Sequence, residues 1–472
     1  MGDNVDVEEK ASGDISPKDQ QSEDNKLIEP PKVPDVELIV DGFGFMPKKK
    51  RKQSFDTDVE EIADEIEDVC ASSSNIDIVR RYTWRTKNRM SVQVITYGAT
   101  ITSIQVPDRK GVPDDVVAGF DTLEEYFQPR NPYFGATIGR YANVIKDGTF
   151  CIKPFEKVHM LTTNYKKQHH YNGGFKGFDK VNWRSYVKGK KVIMSHVSER
   201  LEEGYPGTVM VQVTFEVTCD NTVKIEMKCY SSEPTVINMS NMQFFNLGGH
   251  HSGSEVMYDH IITINGDKYT ATEDNGLVTG EKKIVGGTPY DFRVPRVLKS
   301  IIGNIPIGGY DLNYCIIRGT EQDLAFQARA LHPVSGRVVE VYSNQPGMQF
   351  YTANLLPDPN KMIKVPINTA FFKLSQFKPS PTSLARWRMY LGLILSKFVL
   401  ESPSSGERGF GYTPLLGKNG THYKKHGFFC MMPQNYPDAV NHKNFPNSVL
   451  NPGEEYCHRI QYKFGILLGR YV

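Results

Sequence analysis

The chain has 472 residues, 39% hydrophobic and 23% charged, with a formal net charge of +2. This is a globular composition with room for one large all-β domain and attached segments, and the charge gives no electrostatic basis for a nucleic-acid partner of the whole molecule. Seven cysteines, odd in number and scattered, lack both the paired short spacings of zinc sites and the density of a disulfide scaffold, so a reducing intracellular setting with no metal is expected.

From Met1 to about residue 75 the chain is rich in Asp, Glu, Ser, Pro and Lys and poor in aromatics. Such a stretch buries too little apolar surface to offset chain entropy, and it reads as an acidic, mostly disordered tail. Two exceptions interrupt it: an apolar patch at Val36 to Val40 with Phe43 and Phe45, and Val59 to Val69, where apolar residues recur at helix-like intervals among acids. Between them, the basic run at residues 47–52, with Lys48 to Lys52 as its charged core, is open to two readings, a nuclear import signal or a solvated stretch balanced by the acids that follow.

Residues 76–472 change character to short runs rich in Val, Ile, Thr, Tyr and Phe, divided by Gly, Pro, Asn and Asp. Val211-Gln-Val-Thr-Phe-Glu-Val217 alternates with period two, so its apolar side chains share one face of a strand. Long amphipathic helical patterns are nearly absent, which predicts a predominantly antiparallel β domain. Residues 357–416 break the rhythm with Lys/Pro/Ser-rich stretches around the apolar run Trp387 to Leu400. With Arg388 and Lys397 inside it, that run is too short and too charged for a bilayer core needing roughly 20 apolar residues, so no transmembrane segment is expected. It reads as a packed surface helix or, alternatively, a membrane-surface or partner-binding helix.

Several blocks of the domain carry a resemblance. In chain order they are Tyr97 to Thr102, Asp114 to Phe120, Pro132 to Asn143, Tyr171-Asn-Gly-Gly-Phe-Lys-Gly-Phe-Asp-Lys-Val-Asn-Trp183, Glu203-Gly-Tyr-Pro-Gly207, Gly309 to Tyr314, Gln345 to Thr352 and Phe445 to Tyr456. Together they resemble the aldose 1-epimerase (galactose mutarotase) family from about Val92 to Gly465. The resemblance implies a large antiparallel β-sandwich of the galactose mutarotase-like supersandwich type, no cofactor, an aldohexose as small-molecule partner, and an insertion at 357–416.

Mutarotation needs a base at the anomeric hydroxyl and an acid at the ring oxygen. At the positions where the family resemblance implies the acid histidine and the base glutamate, this chain carries Met242 and Met432, and Asn172 replaces a contact histidine. A thioether donates no proton, and an asparagine amide does not titrate near neutral pH. The resemblance also implies sugar contacts at Asn143, Asp311 and Gln349, while the arginine expected after Asn143 is Val144.

Bland roles stand beside these: Gly173, Gly174 and Gly177 as turn formers, Phe178 and Trp183 as core anchors, Asp311 as a loop cap, Met242 and Met432 as apolar fillers. His169, His170, His250, His251 and His426 lie near the altered positions and read as exposed loop histidines rather than substitute acids and bases. The sequence therefore predicts a cytoplasmic, possible nuclear, carbohydrate-binding relative with mutarotase activity lost or reduced. A working epimerase and an interaction scaffold recruiting proteins through the tail or insertion are its alternatives.

Overall fold

The strand Val209–Val217 alternates buried and open positions along its whole length, as the period-two pattern requires. It lies in a nine-stranded antiparallel sheet, between Lys191–Ser198 and Thr222–Ser231. Across Thr222–Ser231 the sheet continues through Tyr456–Ile466, Arg337–Ser343 and Ala325–Leu331. The computed structural model describes residues 35–47, 77–152, 157–305, 308–319, 323–358 and 415–469. The expected surface helix at Trp387 to Leu400, the basic run Lys48 to Lys52, and most of the acidic tail lie outside those residues.

A six-stranded antiparallel sheet runs in the order Phe244–Phe245, Phe429–Gln434, Gly347–Tyr351, Asp311–Ile316, Gly266–Thr272, Val278–Ile284. One of its faces carries Phe245, Leu312, Tyr314, Met348, Phe350 and Met431, which join Val211, Val213, Phe215, Ile460 and Tyr462 of the nine-stranded sheet in the main core. The rings of Phe245 and Tyr462 meet edge to face, 5.4 Å between centroids. Sheet therefore packs on sheet, and each large apolar side chain enclosed there stabilises by about 1.5–3 kcal/mol. The opposite face of the six-stranded sheet carries the polar chemistry described below.

A third, five-stranded sheet begins with Val36–Phe45, which pairs with Ile78–Thr86. The apolar patch within the acidic stretch is thus an edge strand, and the folded unit starts by Asp35 rather than at residue 76. Trp84 is fully enclosed and its indole N–H donates to the Lys190 carbonyl at 2.7 Å.

At the other boundary, Pro357 and Asp358 stay with the domain because the Lys425 amide donates to the Pro357 carbonyl at 2.9 Å and its ammonium lies 3.5 Å from Asp358. Where described residues resume, Leu415–Leu416 pairs with His422–Tyr423. Lys418 there buries its ammonium 2.6 Å from Asp115 and 3.0 Å from the Thr102 carbonyl. Among the described residues no helix is long and apolar enough to cross a membrane.

Candidate functional site

Register assembles the site. Asn313, Gln349 and Met432 face one another across three adjacent strands, and Asp311, Tyr351 and Cys430 form the next row. Directly opposed residues of an antiparallel sheet share a face, so both rows lie on the side away from the main core. Tyr351, Cys430 and Met432 belong there to a second apolar cluster with Met242, Phe244 and Tyr97. The two methionines at the altered acid and base positions thus belong to one apolar cluster, and Met432 lies directly opposite the buried Gln349.

Gln349 Nε2 donates to Asp311 Oδ1 at 2.7 Å. Asp311 keeps a solvent-accessible surface, yet the protein around it removes enough water to push its carboxyl up to about 6, against the lowering effect of the Gln349 hydrogen bond. Its charge in turn opposes ionisation of the Tyr171 and Tyr351 phenols, whose pKa values burial already holds well above the ordinary range. Asp311 thus presents an exposed carboxyl on this face, with the Gln349 side chain donating to it.

Asn143 and Asn172 form a separate pair. Both have left-handed backbones, with φ of 71° and 48°. Asn172 Oδ1 accepts from the Asn143 amide at 2.8 Å, and the Asn172 amide donates to the Asn143 carbonyl at 3.2 Å. Asn143 Oδ1 accepts from the Val144 amide, so its side-chain oxygen serves its own turn. Tyr171 links the two pairs, since it is Asn172's neighbour in an antiparallel ladder with Val144 and its phenol feels Asp311.

The glycines of this loop are sterically required. A Cβ on Gly173 would lie 1.9 Å from the Gly139 carbonyl, at a φ of +83°. Phe178 and Trp183 are core anchors, their rings 5.7 Å apart edge to face.

Four of the five histidines correct the expectation of exposed loops, and His251 is exposed as expected. His169, His170, His250 and His426 are all buried. His170 is held by the Tyr205 hydroxyl at 2.6 Å and the Thr162 carbonyl at 2.7 Å, His250 by the Tyr423 hydroxyl, and His426 by Tyr258 and Asn354. Burial lowers the pKa of each, to about 4 for His426. Their bonds run to framework groups, not to Asp311, Gln349, Met242 or Met432.

Several residues of the site escaped the sequence reading. Asn313 and Gln434 are buried with both carboxamide atoms unpaired by protein, and the Gln349 carbonyl oxygen and Asn172 Nδ2 are in the same state. The available signal was spacing: Asn313 lies two residues from Asp311 and Gln434 two from Met432, hence on the same face. Tyr133 also joins the group, 6.2 Å from the Tyr171 ring, with the Lys180 ammonium 4.9 Å from its own. Lys180 pairs with Asp179 at 2.6 Å, and burial raises the Asp179 pKa. Two surface hollows of about 460 and 390 Å³ lie elsewhere, against Val40 and Arg80 and against Arg318 and Gln345. The polar chemistry occupies the sheet face rather than either hollow. Among the described residues no group of His, Cys, Asp and Glu has the arrangement of a metal site.

Comparison with known proteins places this geometry. A sequence model of the aldose 1-epimerase family matches residues 80–463. Galactose mutarotase of Pongo abelii is 37% identical over 377 residues, covering 80% of this chain and 92% of that protein, and galactose mutarotase of Homo sapiens is 36% identical over the same shares. In fold, an aldose epimerase homologue from C. elegans matches with a TM-score of 0.64 at 23% identity over 81% of this chain and 97% of that one. A galactose 1-epimerase structure from Lactobacillus acidophilus matches with a TM-score of 0.63 at 17% identity, covering 91% and 99%. With the sheet pairing, the ordered motifs and these relatives in agreement, the chain belongs to the aldose 1-epimerase family.

Proposed function

We propose that this chain binds an aldohexose on the Asp311–Gln349 face and accelerates interconversion of its anomers little or not at all. The observation that carries this reading is that Met242 and Met432, two side chains without a transferable proton, belong to one apolar cluster, with Met432 directly opposite Gln349 of the retained polar pair. Loss of a general acid or base costs about 100-fold to 10,000-fold each, and aldoses mutarotate spontaneously. Asp311, Gln349 and Asn143 supply orientation, and Tyr171 and Tyr351 supply flat apolar surface for a sugar ring. The six cysteines among the described residues are free thiols, which supports a cytoplasmic setting. Entry to the nucleus through Lys48 to Lys52 belongs to the same reading.

Polarimetry on freshly dissolved α-D-galactose and α-D-glucose tests the catalytic half. The expected trace with micromolar protein superimposes on the spontaneous one, and clear acceleration overturns the reading. A second reading, a working aldose 1-epimerase, draws support from Asp311, whose carboxyl at about 6 exchanges protons near neutral pH, and from the relatives named galactose mutarotase. Acceleration that disappears in Asp311→Asn would select it.

A further inference from the structure

Asp311 stands on its face of the sheet without a counter-ion. Among the described residues its carboxyl is held by Gln349 Nε2, and no lysine, arginine or histidine offsets its charge. The side chains that the fold brings to that face or beside it, Val144, Asn172, Met242, Gln349 and Met432, are all uncharged. A ligand that covers a carboxylate strips water from it, and that cost stays uncompensated unless the ligand brings an opposite charge.

Aromatic rings gather at the same place. Tyr351 is the residue directly opposite Asp311 in the sheet, and it belongs to the apolar cluster against which Tyr133 packs. The Tyr133 ring lies 6.2 Å from that of Tyr171, and the Tyr171 ring 5.3 Å from that of Tyr165. Burial keeps the Tyr171 and Tyr351 phenols neutral, and both feel the Asp311 charge. The outer rings already attract ammonium groups of the chain itself: Lys166 Nζ lies 5.2 Å from the Tyr165 centroid and Lys180 Nζ 4.9 Å from that of Tyr133. Lys180 is spent on Asp179 and Lys166 donates to the Asn275 carbonyl, so neither is paired with Asp311. The negative face of a phenol ring attracts a cation within about 6 Å of its centre, and a carboxylate beside such rings adds to the attraction. Groups suited to hydroxyls complete the face. Asn313, buried opposite Gln349, has both carboxamide atoms unpaired by protein, and the Gln349 carbonyl oxygen is unpaired as well.

We propose that the Asp311 face takes an amino aldose in preference to a neutral one, with the ligand's ammonium between the Asp311 carboxylate and the rings of Tyr171 and Tyr351 and its hydroxyls on Gln349 and Asn313. The proposal rests on the reading of this face as an aldohexose site and narrows the ligand to a cationic member of that class. An ammonium supplies both the missing counter-ion and a partner for the ring faces, which a hydroxyl at the same position does not.

Titration calorimetry on the full chain at pH 7 tests this with D-galactose, D-galactosamine, 6-amino-6-deoxy-D-galactose and N-acetyl-D-galactosamine. At least one of the two amines should bind about tenfold tighter than galactose. The N-acetyl sugar keeps the nitrogen but not its charge, and should show no gain. Asp311→Asn keeps the shape of the side chain and should bring amine and parent sugar to within about twofold of each other. Tyr171→Leu, compared at a Tm close to that of the natural chain, should lose part of the preference. Galactose binding as tightly as both amines overturns the proposal and leaves the aldohexose reading standing. An equal gain for the N-acetyl sugar, or an amine preference that survives Asp311→Asn, overturns it as well. Binding of none of the four sugars overturns both the proposal and the reading on which it rests.

Discussion

Gln349 donates to one oxygen of Asp311 at 2.7 Å, which leaves its own carbonyl oxygen buried and unpaired by protein while the carboxylate keeps a solvent-accessible surface. The two side chains act as a unit in which the amide orients the acid. Hydrogen bonds to a charged group contribute about 1.5–3 kcal/mol, so Asp311→Ala should weaken hexose binding roughly 10-fold to 100-fold in titration calorimetry. Saturable binding of unchanged strength in that variant removes the sugar from this face.

The same pair sets a pH dependence. The Asp311 carboxyl lies at about 6 because burial disfavours its charge more than Gln349 favours it. Hexose hydroxyls donate best to the ionised form, so affinity should fall as pH drops through about 6. Gln349→Leu removes the lowering contribution, and the midpoint of the affinity curve should move to higher pH. Because the folded pKa is raised, the carboxyl's contribution to stability is present below the unfolded value and lost as pH rises through about 6. Asp311→Asn should therefore raise Tm at pH 7.5 and leave it nearly unchanged at pH 4.

Restoring the missing groups tests what the methionines replaced. Met242→His with Met432→Glu should give more mutarotation in polarimetry than either change alone, because acid and base act on opposite ends of one ring opening. The cost falls on stability. Met432 is 4% exposed within an apolar cluster, and a carboxylate there should lower the denaturation midpoint by an amount worth roughly 1–3 kcal/mol. If the double variant folds and still superimposes on the spontaneous reaction, the geometry as well as the chemistry of the site has changed.

His260 and His332 stack with rings 5.1 Å apart, and burial lowers their pKa values to about 3 and about 4. Both are therefore neutral in the folded protein, while the unfolded chain takes up protons near 6.5. Their contribution to stability is present above that value and is lost as pH falls toward 3 to 4. Between pH 7.5 and 5 the Tm of the natural chain should fall further than that of His332→Gln, measured by scanning calorimetry. Equal falls would show that other groups carry the acid sensitivity.

Arg140 is buried and spends its guanidinium on the Ser198 hydroxyl and the carbonyls of Ser198, Glu199, Pro206 and Gly207. Desolvation lowers its pKa to about 10. Arg140→Met would remove all five of these hydrogen bonds and should destabilise by more than about 3 kcal/mol, seen as a shifted urea midpoint at unchanged m-value. A shift below about 1 kcal/mol would mean that water replaces the guanidinium at little cost.

Legibility from sequence followed the kind of force involved. The alternation at Val211 to Val217 reports burial directly, and its face was readable. Val36–Phe45 was visible only as an apolar patch, because an edge strand donates few side chains to the core and acidic neighbours mask it. Asn172 could be read as a lost histidine but not as a clamp on Asn143, since that role depends on two left-handed backbones meeting through space. The buried histidines were misread for the same reason: their partners Tyr205, Tyr423 and Tyr258 are remote or unremarkable in sequence, and only the fold supplies a hydroxyl for each ring.

Lys418 and Lys425 have a consequence for how this chain can change. They tie the departing and returning ends of residues 359–414 to the domain through Asp115, Asp358 and the Pro357 carbonyl. With both ends fixed by contacts inside the domain, doubling or halving the intervening length alters closure entropy by only about 0.6 kcal/mol. The points where this stretch leaves and rejoins the domain are thus set by contacts of the domain itself, apart from the sheets that carry the Asp311 face.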